Sequence, residues 1–376
     1  MLYVRLNLGE NKYMLSANER ITLRQFQILF VLEAFGTGFV IMPRIAAVYA
    51  KQDGWLVVLL FLLVGLFFVT IISGTARSFG NEHFESYTKR LLSAPVSALI
   101  CVLLWAKILF CTGLELKIFG NIVRSLLLNR TPAVAIYIII LTVASYAAIK
   151  GIETRARLAE ILIIIISIPL ILLGVVAMLN IDFTNLLPML VTPPTELARG
   201  VVRLGFIFTG LEFIWLVFPY LNKPQEGRRA AIQAMAFAGL VMTLITVVTL
   251  AKFGFYNTSS TEWPVLKLMD MLNIPGGIIA RQGALILSFW MLSVFAFASA
   301  SLFYGASLLK SKIKRGKHIW WVITCAVIVC IVALIPFTQA QVYWMLNRIF
   351  MTFGLVFWVV LPIILIVAKK LRRGTE

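Results

Sequence analysis

Long apolar runs, each about the length of a bilayer crossing and joined by short charged connections, constrain this chain more than any motif in it. A hydrocarbon core about 30 Å thick takes about 20 apolar residues of helix. Ten such spans are read, centred on 24–50, 55–76, 95–120, 132–150, 157–179, 198–221, 229–252, 281–309, 318–337 and 341–368. Main-chain groups in lipid must find partners within their own segment, so these runs are expected to be helices. The short alternating segments of a β-barrel are absent. The expected fold class is an all-α integral membrane protein, one membrane domain over 1–376, with longer extracytoplasmic connections at 180–197 and 253–280. Within the second of these, 263–272 reads as a helix-like run. Residues 81–92 carry His83, Phe84, Tyr87 and Leu91 at helical spacing, which reads as a short interfacial helix or as an ordinary loop turn.

Composition removes the soluble classes. Of the 376 residues 61% are hydrophobic and only 13% charged, about half the charged share of an average soluble domain. The formal net charge of +18 raises nucleic-acid binding as a class. The basic residues, however, lie in short runs between apolar spans, so lipid is the expected partner and nucleic acid is not. Assigned to alternating sides, the clusters at 5–24, 77–90, 150–157, 223–229, 310–317 and 369–373 fall together. The other side holds only Arg44, Lys51, Arg124, Arg130, Arg199, Lys252, Lys267 and Arg281. The excess predicts both termini in the cytoplasm. Cys101, Cys111, Cys325 and Cys330 all lie in apolar segments, which gives no disulfide framework. The first apolar run lacks a small-residue cleavage site and is expected to remain as a helix. With two histidines at span ends, no metal-ligand spacing and no phosphate loop, neither enzymatic chemistry nor a cofactor is expected.

The most informative stretch is Glu33-Ala34-Phe35-Gly36-Thr37-Gly38, followed by Pro43, in the middle of span 1. Glycine and proline weaken a helix where they sit. Span 6 repeats the feature as Gly205-Phe206-Ile207-Phe208-Thr209-Gly210-Leu211-Glu212. The two sites stand close to half the chain length apart, each in the first span of a five-helix half, 21–179 and 198–370. Matching interruptions in corresponding spans are the sequence pointer to a transporter built from two inverted repeats. An unwound turn frees amides and carbonyls, and together with a half-helix N-terminus these can hold a zwitterion. The candidate ligand-binding residues are therefore Glu33, Ala34, Gly36, Thr37 and Gly38, with Phe206, Ile207, Thr209, Gly210 and Glu212. The plain alternative is that the glycines only let another helix pack closely.

An ionisable group near mid-bilayer costs about 2.5–3.5 kcal/mol on insertion scales, so each one asks for a reason. Glu33 reads as a second acid beside the break, or as the structural partner of a basic residue on another helix. Lys107, Cys111 and Glu115 form one stripe on span 3. That stripe is either structural, or it turns Lys107 and Cys111 toward a ligand. In span 8, Trp290, Phe295 and Ser299 line a cavity or pack. Lys117 and Arg348 are expected to snorkel toward the interface.

Gly36-Thr37-Gly38 with Pro43, Phe206 to Glu212, and Asn222-Lys223-Pro224 with Arg229-Ala230 resemble the amino acid–polyamine–organocation superfamily. Ile21 to Gln25, Gln52-Asp53-Gly54-Trp55, Asn185-Leu186-Leu187-Pro188 and Arg281 to Trp290 resemble, more closely, the spore germination B-subunit permeases. The resemblance implies a LeuT-like fold of ten helices with helices 1 and 6 broken, in the inner membrane of a bacterial spore. It implies a germinant-sensing subunit that works with an A-type membrane subunit and a C-type lipoprotein. By motif, Thr37 and Gly38 would bind the carboxylate of a small amino acid germinant. Phe206 and Thr209 would wall the pocket, and Glu212 would sit beside the ammonium or act as a gate. Proton-coupled relatives carry a lysine in the fifth span where Ala159–Leu179 has none, which counts against proton-coupled uptake by that route. A secondary amino acid or polyamine transporter is the alternative.

Overall fold

The computed structural model describes residues 19–34, 36, 38–178, 181–270, 282–312 and 317–373. Helix dominates. In chain order the α-helices are α1 Leu23–Ala34, α2 Gly38–Ala50, α3 Gly54–Arg77, α4 Phe84–Leu91, α5 Ala94–Leu126, α6 Ala133–Ile149, α7 Ile152–Met178 and α8 Pro194–Leu204. There follow α9 Phe213–Val217, α10 Gly227–Ser260, α11 Pro264–Asp270, α12 Gln282–Lys312, α13 His318–Leu334, α14 Gln339–Ile349 and α15 Leu361–Arg373. Among the described residues, six helical segments are long and apolar enough to cross a membrane: 38–77, 94–126, 194–220, 227–260, 290–310 and 339–372. Ala133–Ile149 and His318–Leu334 are apolar but shorter. The protein is a multi-pass membrane protein.

Local chemistry sets several boundaries. Thr22 and Gln25 form a reciprocal cap at the start of α1: Gln25 N donates to Thr22 Oγ1 at 3.2 Å, and Thr22 N donates to Gln25 Oε1 at 3.0 Å. Thr338 and Gln341 repeat the device at α14. A Cβ on Gly54 would lie 3.0 Å from the Ala46 backbone, so glycine is what lets α3 turn back so closely on α2. Gly254 has φ +71° and kinks α10 near its end. The helix α4 is real, and its apolar face turns into the protein: Tyr87 stacks on Phe79 at 4.1 Å and Phe84 tilts onto Trp215 at 6.0 Å.

The helices sort into two packing groups. In one, α3 runs along α10, with α1 and α2 against the same helix. In the other, α5 packs on α12 and α13, and α6 joins both. Helix α7 touches α1 and α12 and so bridges the groups. Outward-facing positions are large aliphatics, as with Ile161, Ile164, Ile168 and Ile171 on α7. That spacing is one helical face turned to an apolar solvent.

Two motifs close one end of the molecule. Asp53 is fully buried and accepts from the backbone N–H groups of Leu190 (2.7 Å), Val191 (2.9 Å) and Thr192 (2.9 Å), and from the Thr192 hydroxyl at 2.8 Å. Gln52 Nε2 donates to the Pro188 carbonyl at 3.0 Å, and Asn185 Nδ2 to that of Ala251 at 2.9 Å. The Gln-Asp-Gly-Trp and Asn-Leu-Leu-Pro motifs are thus two halves of one latch. At the other end a parallel bridge joins Ile21 to Leu221, with Ile21 N donating to Tyr220 O at 2.8 Å and Asn222 N to Ile21 O at 3.0 Å. It ties the start of α1 to the end of the 205–220 segment.

Candidate functional site

Among the described residues, a 3-10 winding at 205–210 interrupts the α-helical ladder, and a second candidate break lies at the join of α1 and α2. Helix α1 ends at Ala34 and α2 begins at Gly38. Between them Gly36 is described, while Phe35 and the candidate Thr37 lie outside the described residues. Its carbonyl is occupied: Trp290 Nε1 donates to Gly36 O at 3.4 Å, as does Phe39 N at 3.4 Å. Between α8 and α9, Gly205–Gly210 is wound as a 3-10 helix with Phe208 at ψ 16°. The Thr209 hydroxyl donates to the Phe206 carbonyl, so this candidate caps its own broken turn. The two segments meet at Gly38, where a Cβ would come 2.7 Å from Ile207 Cγ1. A close approach of this kind admits only glycine without displacing Ile207.

Buried charges crowd round these segments in two pairs. Arg155 Nη2 donates to Glu33 Oε1 at 2.9 Å, and both side chains are almost wholly enclosed. Arg155 Nε reaches Ser299 Oγ at 3.3 Å, and the guanidinium lies over the rings of Phe303 and Tyr304 at 5.5 and 5.3 Å. This joins α1, α7 and α12. The second pair is Lys107 with Glu212, whose Oε1 also accepts from Trp358 Nε1 at 2.9 Å. The Lys107 ammonium lies 5.5 Å from the centroid of the Trp358 ring. Trp358 sits in a π-helical stretch, 356–360, preceded by another at 350–354. Such windings are rare and favour functional sites. Trp215 Nε1 donates to the Phe357 carbonyl at 3.3 Å, which ties that stretch to α9.

The sequence reading is answered residue by residue. Glu33, Ser299, Lys107 and Glu212 enter the two charged clusters. Glu33, Ala34, Ile207 and Gly210 line a common recess with Phe208. Cys111 and Phe295 are buried without entering either pair, and Phe206 tilts against Tyr343 at 6.0 Å. Lys107 reaches across to Glu212, a neighbouring partner of the kind the structural reading of the stripe allows. Lys117 is buried and donates to the carbonyls of Ala333 (3.3 Å) and Ile335 (2.8 Å), capping the C-terminal end of α13. Arg155 corrects the charge count, because it is paired inside the protein and is no surface charge. Sequence reasoning missed Arg155 because it stands in a basic cluster at a helix start. It missed Trp358 because a tryptophan in an apolar helix carries no mark.

The recess is small. Phe30, Phe61, Phe208, Met235 and Met242 wall it beside Glu33, and it holds about 30 Å³ of free volume, room for one or two waters. It opens toward α3 and α10, not toward α5 and α12.

The all-helical fold that holds these paired buried charges is shared with solved structures. MhsT in complex with L-phenylalanine superposes with TM-score 0.65, covering 92% of this chain and 97% of that one at 14% identity. An outward-open sodium-coupled sialic acid symporter gives 0.64, covering 89% and 76% at 12% identity. Residues 20–342 match the spore permease family of spore germination proteins, and the chain belongs to that family. Among relatives, spore germination protein YndE of Bacillus subtilis is 25% identical over 96% of this chain and 100% of its own length. Spore germination protein KB of the same organism is 25% identical over 68% and 69%. Spore germination protein XB of Bacillus anthracis is 22% identical over 93% and 99%.

Proposed function

We propose that the chain is the membrane-embedded germinant-sensing subunit of a spore germination receptor, and that it binds a small amino acid between segments 33–38 and 205–212. The observation that carries this reading is the contact of Gly38, at the start of α2, with Ile207 of the 3-10 segment, flanked by the Glu33–Arg155 and Lys107–Glu212 pairs. Main-chain groups freed at such segments suit a carboxylate and an ammonium together. The reading includes ten spans in two inverted halves with helices 1 and 6 broken, the spore inner membrane, and both termini in the cytoplasm. It also includes A-type and C-type partner subunits. Thr37 and Gly38 would take the carboxylate. The free volume in the described state is too small for an amino acid, so binding requires Ile207 and Phe208 to move. A ligand that prefers the opened arrangement shifts the bundle toward it, by no more than its differential affinity.

The carrier reading has one specific support, the transporter fold shared with MhsT and the sialic acid symporter. Reconstitution in liposomes separates the two. Binding of a labelled amino acid without concentrative uptake is expected of the sensor. Accumulation against a gradient would make the chain a carrier.

A further inference from the structure

Two arginines stand on the outer surface of the bundle. Arg203 and Arg348 are exposed, and neither guanidinium meets a partner among the described residues. Their depth follows from the course of the chain. The segment 194–220 starts beside 190–192, which Asp53 holds, and ends at the Ile21–Leu221 bridge. The segment 339–372 ends near the same bridge. There Lys369 Nζ donates to Ser78 O, and Asn81 Nδ2 donates to the carbonyls of Pro219 (3.0 Å) and Leu221 (2.9 Å). The two segments therefore run in the same direction. A Cβ on Gly205 would run into the Phe350 ring, and that contact sets Arg203 level with Arg348. Each arginine is the tenth residue of its segment. That is about 13 Å of helix from the start, inside a hydrocarbon core about 30 Å thick.

Their neighbours Val202, Trp344, Met351 and Phe353 are exposed and apolar, as contact with lipid or another helix requires. Two unpaired positive charges fit neither lipid tails nor a bare helix. Ionisable groups at this depth turn inward or pair with one another. Glu33–Arg155 and Lys107–Glu212 obey that rule, whereas Arg203 and Arg348 break it. Lipid phosphates lie beyond the hydrocarbon core, off the level of both arginines. A second copy of the chain offers no carboxylate there, because the mid-span acids Glu33, Glu115 and Glu212 are all buried. An acid on the crossing helix of another protein meets both groups at their own level, and the planar guanidinium fork matches a carboxylate.

We propose that the surface carrying Arg203 and Arg348 docks a transmembrane helix of a partner subunit, held by an aspartate or glutamate on that helix. Arg203 adjoins the 3-10 segment 205–210, and Arg348 adjoins the π-helical stretch 350–354. A shift of Ile207 and Phe208 on ligand binding would thus move the platform beneath the partner. The inference rests on the reading of the chain as one subunit of a receptor, and adds where and by what chemistry a partner is held.

The test places a photoreactive amino acid at Val202 or at Trp344 of the full chain in its native membrane and maps the adducts by mass spectrometry. Both sites are expected to capture a spanning segment of a different membrane protein, one that contains an aspartate or glutamate. Arg203→Gln combined with Arg348→Gln is expected to lower the yield at least about tenfold. Arg203→Glu with Arg348→Glu should abolish it, and replacing the mapped acid by lysine should restore it. Purified alone, the double glutamine variant is expected to melt no lower than the parent; a lower midpoint would reveal a partner within the chain and overturn the inference. Adducts confined to lipid, to a second copy or to segments without a carboxylate also overturn it, as does a yield unchanged in the glutamine variant. None of these outcomes touches the amino acid site, which binding of a labelled amino acid to the isolated chain tests separately.

Discussion

Arg155 is the residue on which the inner arrangement turns. Its guanidinium holds Glu33 of α1, the Ser299 hydroxyl of α12 and the faces of two rings. Breaking one side of a buried ion pair leaves an uncompensated charge, at about 3–5 kcal/mol. Arg155→Met is therefore expected to lower the thermal midpoint markedly, and Glu33→Gln in the same chain to recover part of the loss, because the stranded carboxylate is then gone. Melting curves of the two single variants and the double variant measure this. Strictly additive losses would mean that the pair does not couple. The acids of these clusters are legible in the sequence, since a carboxylate inside an apolar run stands out. Their partners are not. Which helix faces which acid is a matter of tertiary packing, and Arg155 looks like the other basic residues at its helix start.

Among the elements, the Asp53 latch and the interrupted segments do different work. Asp53 takes four hydrogen bonds and fixes 190–192 against the turn between α2 and α3. Hydrogen bonds to a charged acceptor contribute roughly 1.5–3 kcal/mol each. Asp53→Asn turns a donor toward donors, and the connection should open. Hydrogen exchange over 182–192 is expected to rise by an order of magnitude or more, with α5 and α13 unchanged; equal protection in the variant would remove the latch. The helical runs were legible from hydropathy, and the capping residues at Thr22 and Thr338 obey local rules. The 3-10 winding at 205–210 was legible only as weakness, two glycines and a threonine. The π-helical stretches left no signature, because nothing local distinguishes Phe350–Val360 from ordinary apolar helix.

At the scale of the whole molecule, the two packing groups meet round the interrupted segments, and α7 crosses between them through Arg155. Motion of one group against the other would have to strain the Glu33–Arg155 and Lys107–Glu212 pairs, both of which span helices from different parts of the chain. Family membership was legible in short motifs whose roles the fold supplies: a helix cap, a latch at Asp53, a bridge from Ile21 to Leu221. The state of the site was not legible, since the closing of the recess by Phe208 and Met235 depends on three-dimensional packing. The central claim is that an amino acid is gripped where Gly38 meets Ile207. Equilibrium binding of a labelled amino acid to the purified chain and to Gly38→Leu tests it most directly, given a variant that keeps a cooperative melt. A leucine side chain there must displace Ile207, whose Cγ1 already lies 2.7 Å from the position of a bare Cβ. The account predicts that affinity falls by at least about 100-fold, roughly 2.8 kcal/mol; an unchanged dissociation constant in the folded variant would contradict it.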